Sequence, residues 1–211
     1  MTVLRLADVG TATDLATFVA RAKRVDPDGA ARLLGAGAVL AVYVSPVHGT
    51  GAPTVLGLRT LGLRAPADVD VVVPLAALSD RLARPTEAAE LAVPPAEATG
   101  VSWAGVSPPR GGWTPLGSVT AGVLAVAAHA GVSEVAAGAG PAAGAPAVAQ
   151  LRAGVWGRAI PGTPDLPAGV AFAAESLGFL GAEDVEVFSA GPWWRATTLR
   201  GHVLARQPLL G

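Results

Sequence analysis

The stretch SPPRGGW, residues 107–113, has the residue types of an anion-binding loop. Glycine lets a ligand approach the backbone closely, and the guanidinium of Arg110 could hold a carboxylate or a phosphate through two hydrogen bonds. Pro115 predicts a helix start just beyond, where free amides attract anions. Trp103 and Trp113 would flank such a site. The alternative is a rigid corner, in which the tryptophans fill the core and the arginine pairs with an acid.

A second group of candidate residues lies near the C-terminus, where VEVFSA, WWRATT and HVLARQ are typical of strands and LRG of a tight turn. Whether the turn centres on residues 199–200 or 200–201, strand alternation places the same residues on one face. The alternation predicts an apolar face packed against helices, made of Trp194, Ala196, Val203 and Ala205. The opposite face is predicted to be exposed and carries Trp193, Arg195, Thr197, His202 and Arg206. An exposed tryptophan beside arginines has the composition of an interface hot spot, and a merely solvated face is the alternative.

Few other residues in the chain could do chemistry. The absence of cysteine excludes disulfides, zinc–thiolate sites and a cysteine nucleophile. The histidines at positions 48, 129 and 202 are far apart in sequence, so neither a metal site nor a cofactor is predicted. Asp68 and Asp70 would share one strand face and could hold a divalent cation, although a solvated edge is the favoured interpretation. No P-loop and no G-x-S-x-G motif occurs, so a non-enzymatic protein is favoured over an enzyme.

The composition describes a folded chain of 211 residues with 51% hydrophobic and 15% charged residues. Its net charge of −1 argues against a general nucleic-acid-coating protein, which would carry a strong basic excess. Two stretches, 33–58 and 111–133, carry no Asp, Glu, Lys or Arg. The first contains turn residues and the second is only weakly apolar, so no membrane insertion is expected. The N-terminal residues MTVLRLADVG do not resemble a secretory signal, and a cytoplasmic location is expected.

The elements that must position these residues alternate between helix and strand. Residues 11–25 predict a helix capped by Thr11, with an apolar stripe of Leu15, Phe18, Val19 and Ala22. AARLL and VLAVYVS around GAG predict a hairpin, TVLGLRTLGLR and DVDVVVP two further strands, and Pro74 opens a helix. After a Pro/Ala-rich connection, helices are predicted from Thr114, from PAVAQLRAGVWG and from PAGVAFAAESLGFL.

The predicted fold class is therefore α+β, with a mixed or antiparallel sheet packed by helices. Within this class, the chain could form two subdomains that share one core. The expected organisation is a first part over residues 1–84, a connection over 85–112, and a second part over 113–211.

The segments PPRGGW and WWRATTLRGHVLAR resemble those of an uncharacterised Ala/Gly-rich protein family of high-GC actinobacteria. The single lysine among 15 basic residues fits such a genome. No activity is known for that family, so the resemblance implies no site and no substrate.

Three functions are compatible with these patterns. The leading hypothesis is a non-enzymatic protein-interaction or binding module, acting on a protein partner or as a homodimer. The second is a protein or enzyme that binds an anionic small molecule through the PPRGGW loop. The third is a nucleic-acid-associated regulator.

Overall fold

The computed structural model describes residues 2–84, 89–95, 97–140 and 144–207. The chain forms two compact units. Unit 1 comprises Met1–Ser45 and Leu58–Gly105, and unit 2 comprises Pro46–Gly57 and Val106–Gly211. Residues 85–88 and 96 of the predicted connection lie outside the described residues.

The predicted α+β class is confirmed, because the described residues form five α-helices, a six-stranded antiparallel sheet and a two-stranded sheet. The strands are β1 (Val3–Arg5), β2 (Ala30–Val47), β3 (Thr54–Pro74), β4 (Glu90–Ala92), β5 (Thr114–Val119), β6 (Val185–Ala190), β7 (Trp193–Thr198) and β8 (Gly201–Arg206). The helices are α1 (Val9–Val25), α2 (Leu75–Leu82), α3 (Ala121–Gly138), α4 (Ala145–Gly157) and α5 (Ala168–Ser176). The large sheet has the order β2-β3-β8-β7-β6-β5, and β1 pairs with β4.

In unit 1, the periodicity of α1 predicted its buried side correctly. The buried residues of this helix are the four of the predicted stripe, Leu15, Phe18, Val19 and Ala22. The predicted cap was wrong: Asp8 is the N-cap, and its side chain accepts a hydrogen bond of 2.7 Å from the backbone N–H of Thr11. A carboxylate accepts such a bond better than a hydroxyl, and it also neutralises the positive helix end.

The hairpin predicted around GAG, residues 35–37, is absent, because β2 continues through these residues as one strand. A Cβ on Gly35 would lie 2.7 Å from the carbonyl oxygen of Ala67, so this glycine serves a close backbone approach. Gly37 has a φ of +60°, which glycine adopts without strain, and the strand continues through it. The two strands predicted after it are likewise one strand, β3.

In unit 2, the helix predicted from Thr114 was also wrong over its first turns. Residues Thr114–Val119 form β5, and the helix begins only at Ala121, where the Thr120 side chain accepts a bond from the backbone N–H of Val123. Pro115 is tolerated in β5 because this strand lies at the edge of the sheet, with a register shift between Pro115 and Gly117. Strand β5 therefore adds one more strand to the sheet, next to β6.

Helices α3, α4 and α5 pack together in unit 2, and α5 also packs on β8. In this group, Trp156 of α4 stacks on Phe172 of α5, with ring centroids 4.5 Å apart. Gly131 of α3 lies against the Trp156 ring so closely that a Cβ there would be 2.3 Å from a ring carbon. This contact fixes how α3 and α4 approach each other.

Helix α3 is long and largely apolar, with Glu134 as its one residue of fixed charge. Its 18 residues have a mean hydropathy of 1.4, yet only 17% of them are buried. By length and composition it is the one helix among the described residues that could cross a membrane. One such helix by itself is weak evidence for a membrane span.

Candidate functional site

The C-terminal strands bring most of the predicted site residues onto one face of the sheet in unit 2. In the antiparallel register of β7 and β8, Trp193 pairs with Arg206, Arg195 with Leu204, and Thr197 with His202. Strand β6 continues the same rows, because Phe188 pairs with Arg195 and Glu186 with Thr197. We call this surface the arginine face; it consists of Glu186, Phe188, Trp193, Arg195, Thr197, His202, Leu204 and Arg206.

The opposite face packs on the helices as predicted. Ala196, Val203 and Ala205 are buried, as are Val185 and Val187 of β6. Trp194 lies on this face but is only partly buried, and its Nε1 donates a hydrogen bond of 3.2 Å to the carbonyl oxygen of Pro164.

The prediction that Trp193 is exposed was wrong, because its side chain is only 4% exposed. Strand alternation correctly assigned the residues to two faces, but a period of two carries no information on whether a face is covered. Leu204 on the same face is also buried, whereas Arg195, His202 and Arg206 are half-buried. The arginine face is thus an apolar pair, Trp193 and Leu204, surrounded by partly exposed polar side chains.

Two aromatic rings hold Arg195 in place. The guanidinium carbon of Arg195 lies 4.2 Å from the centroid of the Phe188 ring and 4.7 Å from that of Trp113. Cation–π contacts of this kind fix the plane of the guanidinium group. Burial lowers the pKa of Arg195, and the charge of Glu186 acts in the opposite direction. The side chain is therefore a charged group that is partly removed from water.

Arg195 and Arg206 share an unusual feature, which is that the Nε atom of each is buried and has no hydrogen-bond partner. Buried donors are nearly always paired in folded proteins, so an unpaired one calls for an explanation. The other such atom among the described residues is Nε1 of Trp156, in the helix layer. Two of the three unpaired atoms therefore lie on the arginine face.

A hydrogen bond links the remaining polar pair of this face, with Nδ1 of His202 3.1 Å from the hydroxyl oxygen of Thr197. The sequence prediction omitted Glu186, Phe188 and Leu204. The alternation within VEVFSA places Glu186 and Phe188 on one side of β6, but only the register with β7 shows which side of the sheet that is.

The PPRGGW loop differs from the predicted anion site. Arg110 is exposed, and the segment beyond Pro115 is a strand, so no helix terminus lies there. The Nε1 of Trp113 donates a hydrogen bond of 3.2 Å to the carbonyl oxygen of Pro109, which closes the loop on itself. Trp103 is 4% exposed and belongs to unit 1, whereas Trp113 belongs to unit 2 and stacks on Arg195.

Of the two acidic residues predicted to share a face of β3, Asp68 and Asp70, the second forms an ion pair with Arg32. The guanidinium of Arg32 donates two bonds of 2.7 Å to the carboxylate of Asp70 and one of 2.9 Å to the carbonyl oxygen of Ala104. Within the described part of the chain, no group of three His, Asp or Glu side chains is arranged to hold a metal ion.

Two family models match the chain. Residues 1–105 match one described as a domain of unknown function (DUF8010), and residues 108–210 match a second domain of unknown function (DUF8185). The first match ends at Gly105, where unit 1 also ends, and the second contains the whole arginine face. No curated protein matches the chain.

Proposed function

We propose that the chain is a non-enzymatic binding module that contacts a protein partner through the arginine face. The observation that carries this proposal is the state of Arg195, which is stacked on two rings, partly desolvated, and without a carboxylate partner among the described residues. Leaving a cation in this state costs free energy, which a partner's polar groups could recover.

The composition of the face supports the same conclusion. Tryptophan and arginine are the residue types most enriched among interface hot spots, and such residues are most effective when partly desolvated. Here the half-buried side chains of Arg195, His202 and Arg206 can be reached from solvent, whereas Trp193 and Leu204 are buried and cannot contact a partner directly. A rigid side chain also loses little conformational entropy on binding, because the rings already restrict it.

If the ligand is instead an anionic small molecule, Arg195 is a better candidate to bind it than Arg110. The segment beyond Pro115 is a strand and not the predicted helix start, and Arg110 is exposed. Self-association through the same face gives a homodimer and is tested by light scattering. Cytoplasmic location and actinobacterial origin remain predictions from the sequence.

The test is affinity capture from the source cells with matched variants. The chain is immobilised as wild type, as Arg195→Leu and as Arg110→Leu, and the retained proteins are identified by mass spectrometry. Arg110 is an exposed arginine of the same unit, so its variant controls for the loss of one positive charge. The proposal expects a protein that the wild type and Arg110→Leu retain and that Arg195→Leu loses. Identical retention by all three chains, each shown to be folded, contradicts it.

A further inference from the structure

We infer that unit 1 contains a binding site of its own, a pocket for a small organic anion that has an apolar body and one carboxylate. The pocket lies between helices α1 and α2 and strand β4, which all belong to unit 1. It shares no residue with the arginine face of unit 2, so it does not depend on the function proposed for that face.

Most of the pocket wall is apolar. Helix α1 contributes Val9, Ala12 and Ala16, which recur at the spacing of one helix face. Two of these three residues are alanines, and their short side chains leave the space that the pocket occupies. Thr13 lines the same side, but its hydroxyl donates a hydrogen bond of 2.9 Å to the carbonyl oxygen of Val9. The other apolar residues of the wall are Leu6, Leu82, Ala89 and Leu91.

The floor of the pocket is held in place by the pairing of β1 with β4. Leu6, Ala89 and Leu91 are each no more than 2% exposed. The backbone N–H of Leu6 donates a hydrogen bond of 3.0 Å to the carbonyl oxygen of Ala89. Ala89 has a φ of +52°, which costs free energy for a residue with a Cβ and persists only where the surroundings fix it. The floor is therefore built before any ligand arrives.

The size of the pocket suits an apolar group as large as one ring. Its volume is about 160 Å³. A cavity of about 150 Å³ lined by apolar side chains binds benzene, so this pocket admits a body of about six carbons. Val9 is 56% exposed, so the pocket opens to solvent beside it and the polar end of a ligand can stay in contact with water.

Charge at the pocket favours an anion. Arg81 and Arg84 both line it, and among the described residues neither side chain forms an ion pair or a hydrogen bond. Glu90, the one acid in the lining, is paired with Arg5 at 3.3 Å. A carboxylate forms charge-assisted hydrogen bonds with an arginine, and these are stronger than bonds between neutral groups. The apolar wall and the two arginines therefore select a ligand that combines an apolar body with a carboxylate.

The experiment is an NMR titration of the full chain that follows backbone amide shifts, because a probe of this size binds weakly. Three probes divide the ligand into its parts: benzoate has the ring and the charge, benzyl alcohol the ring alone, and acetate the charge alone. Benzoate should give saturable shifts at residues 9–16 and at Leu82 and Leu91. It should bind at least about tenfold more tightly than either other probe, since the charge-assisted bond and the burial of the ring each contribute on that scale.

Matched variants locate the site. Arg81→Gln and Arg84→Gln are compared with Arg24→Gln, which changes an exposed arginine of unit 1 outside the pocket. At least one of the first two should weaken benzoate binding about tenfold, and Arg24→Gln should leave it unchanged. Ala16→Leu fills the pocket and should abolish the shifts. Ala20→Leu, at an exposed position one turn further along α1, should retain them.

The absence of saturable benzoate shifts at these amides would overturn the assignment, and it is the result expected if the pocket holds only water or a partner's side chain. Benzyl alcohol that binds as tightly as benzoate would also overturn it, as would unchanged benzoate binding by both Arg81→Gln and Arg84→Gln. The comparison of the three probes uses the wild type alone, so it gives a result even if a variant does not fold.

Discussion

Gly131 in α3 offers the sharpest test of the packing in unit 2. A Cβ at this position would lie 2.3 Å from Cζ3 and 2.9 Å from Cη2 of the Trp156 ring. That ring is buried and stacks on Phe172, so it cannot retreat into solvent. Alanine in a helix gains about 0.5–1 kcal/mol over glycine, whereas overpacking a core costs about 1–3 kcal/mol. We therefore expect Gly131→Ala to lower the free energy of unfolding by about 1–2 kcal/mol.

The matched control is Gly154 in α4, which is exposed and has no neighbouring atom within 4 Å of its Cβ position. Gly154→Ala should raise stability by about 0.5–1 kcal/mol, because only the helix term remains. Both variants are measured by urea unfolding, with the slopes compared so that changes in the unfolded state are recognised. If Gly131→Ala is as stable as Gly154→Ala, the close contact between α3 and Trp156 does not exist and the reasoning is refuted.

Three further predictions follow from the burial and the hydrogen bonds. Trp193→Ala should lower the free energy of unfolding by about 3–5 kcal/mol, because it leaves a cavity at a buried position. Trp194→Ala should lower it less, since that ring is partly exposed. Urea unfolding in which Trp194→Ala is the less stable variant would contradict this order. Arg195→Leu should change stability by no more than about 1 kcal/mol, because the lost ring contacts are offset by removal of an unpaired buried donor, and a large drop in the melting temperature would identify a structural arginine. The pKa of Asp8 is lowered by its bond to the backbone N–H of Thr11, so this stabilisation is present above pH 3.8 and is lost as the pH falls through the lowered pKa. Asp8→Ala should therefore melt below the wild type at pH 7 and approach it at pH 2–3, and an equal deficit at both pH values would exclude the carboxylate as the cause.

The sequence predicted correctly those features that are set by residues close together in the chain. The stripe of α1 and the faces of β7 and β8 follow from periods of 3.6 and 2, which are properties of the backbone itself. The turn of the C-terminal hairpin is also confirmed, since Thr198 pairs with Gly201 around residues 199–200.

The errors concern residues whose role depends on distant parts of the chain. Gly35 looks like a turn residue, but it is required by the Ala67 carbonyl, which is 32 positions away in the sequence. Pro115 looks like a helix start, but it tolerates a strand because β5 happens to be an edge. Trp193 was predicted to be exposed because the other residues assigned to its strand face are polar, yet it is buried. The sequence assigned Arg195 to the correct strand, but its ring contacts come from Phe188 and Trp113, which no local pattern connects to it.

Site-specific photo-crosslinking tests most directly whether the arginine face is the binding surface. A photoreactive residue is placed at Glu186, which is exposed on this face, or at Leu199, which is 82% exposed at the tip of the β7–β8 hairpin. Both positions tolerate a bulky side chain because neither is buried, so both chains should fold. After irradiation in the source cells, we expect adducts with a partner protein, or with a second copy of the chain, from position 186 and none from position 199. Adducts of equal yield from both positions, or adducts from position 199 alone, would contradict the account.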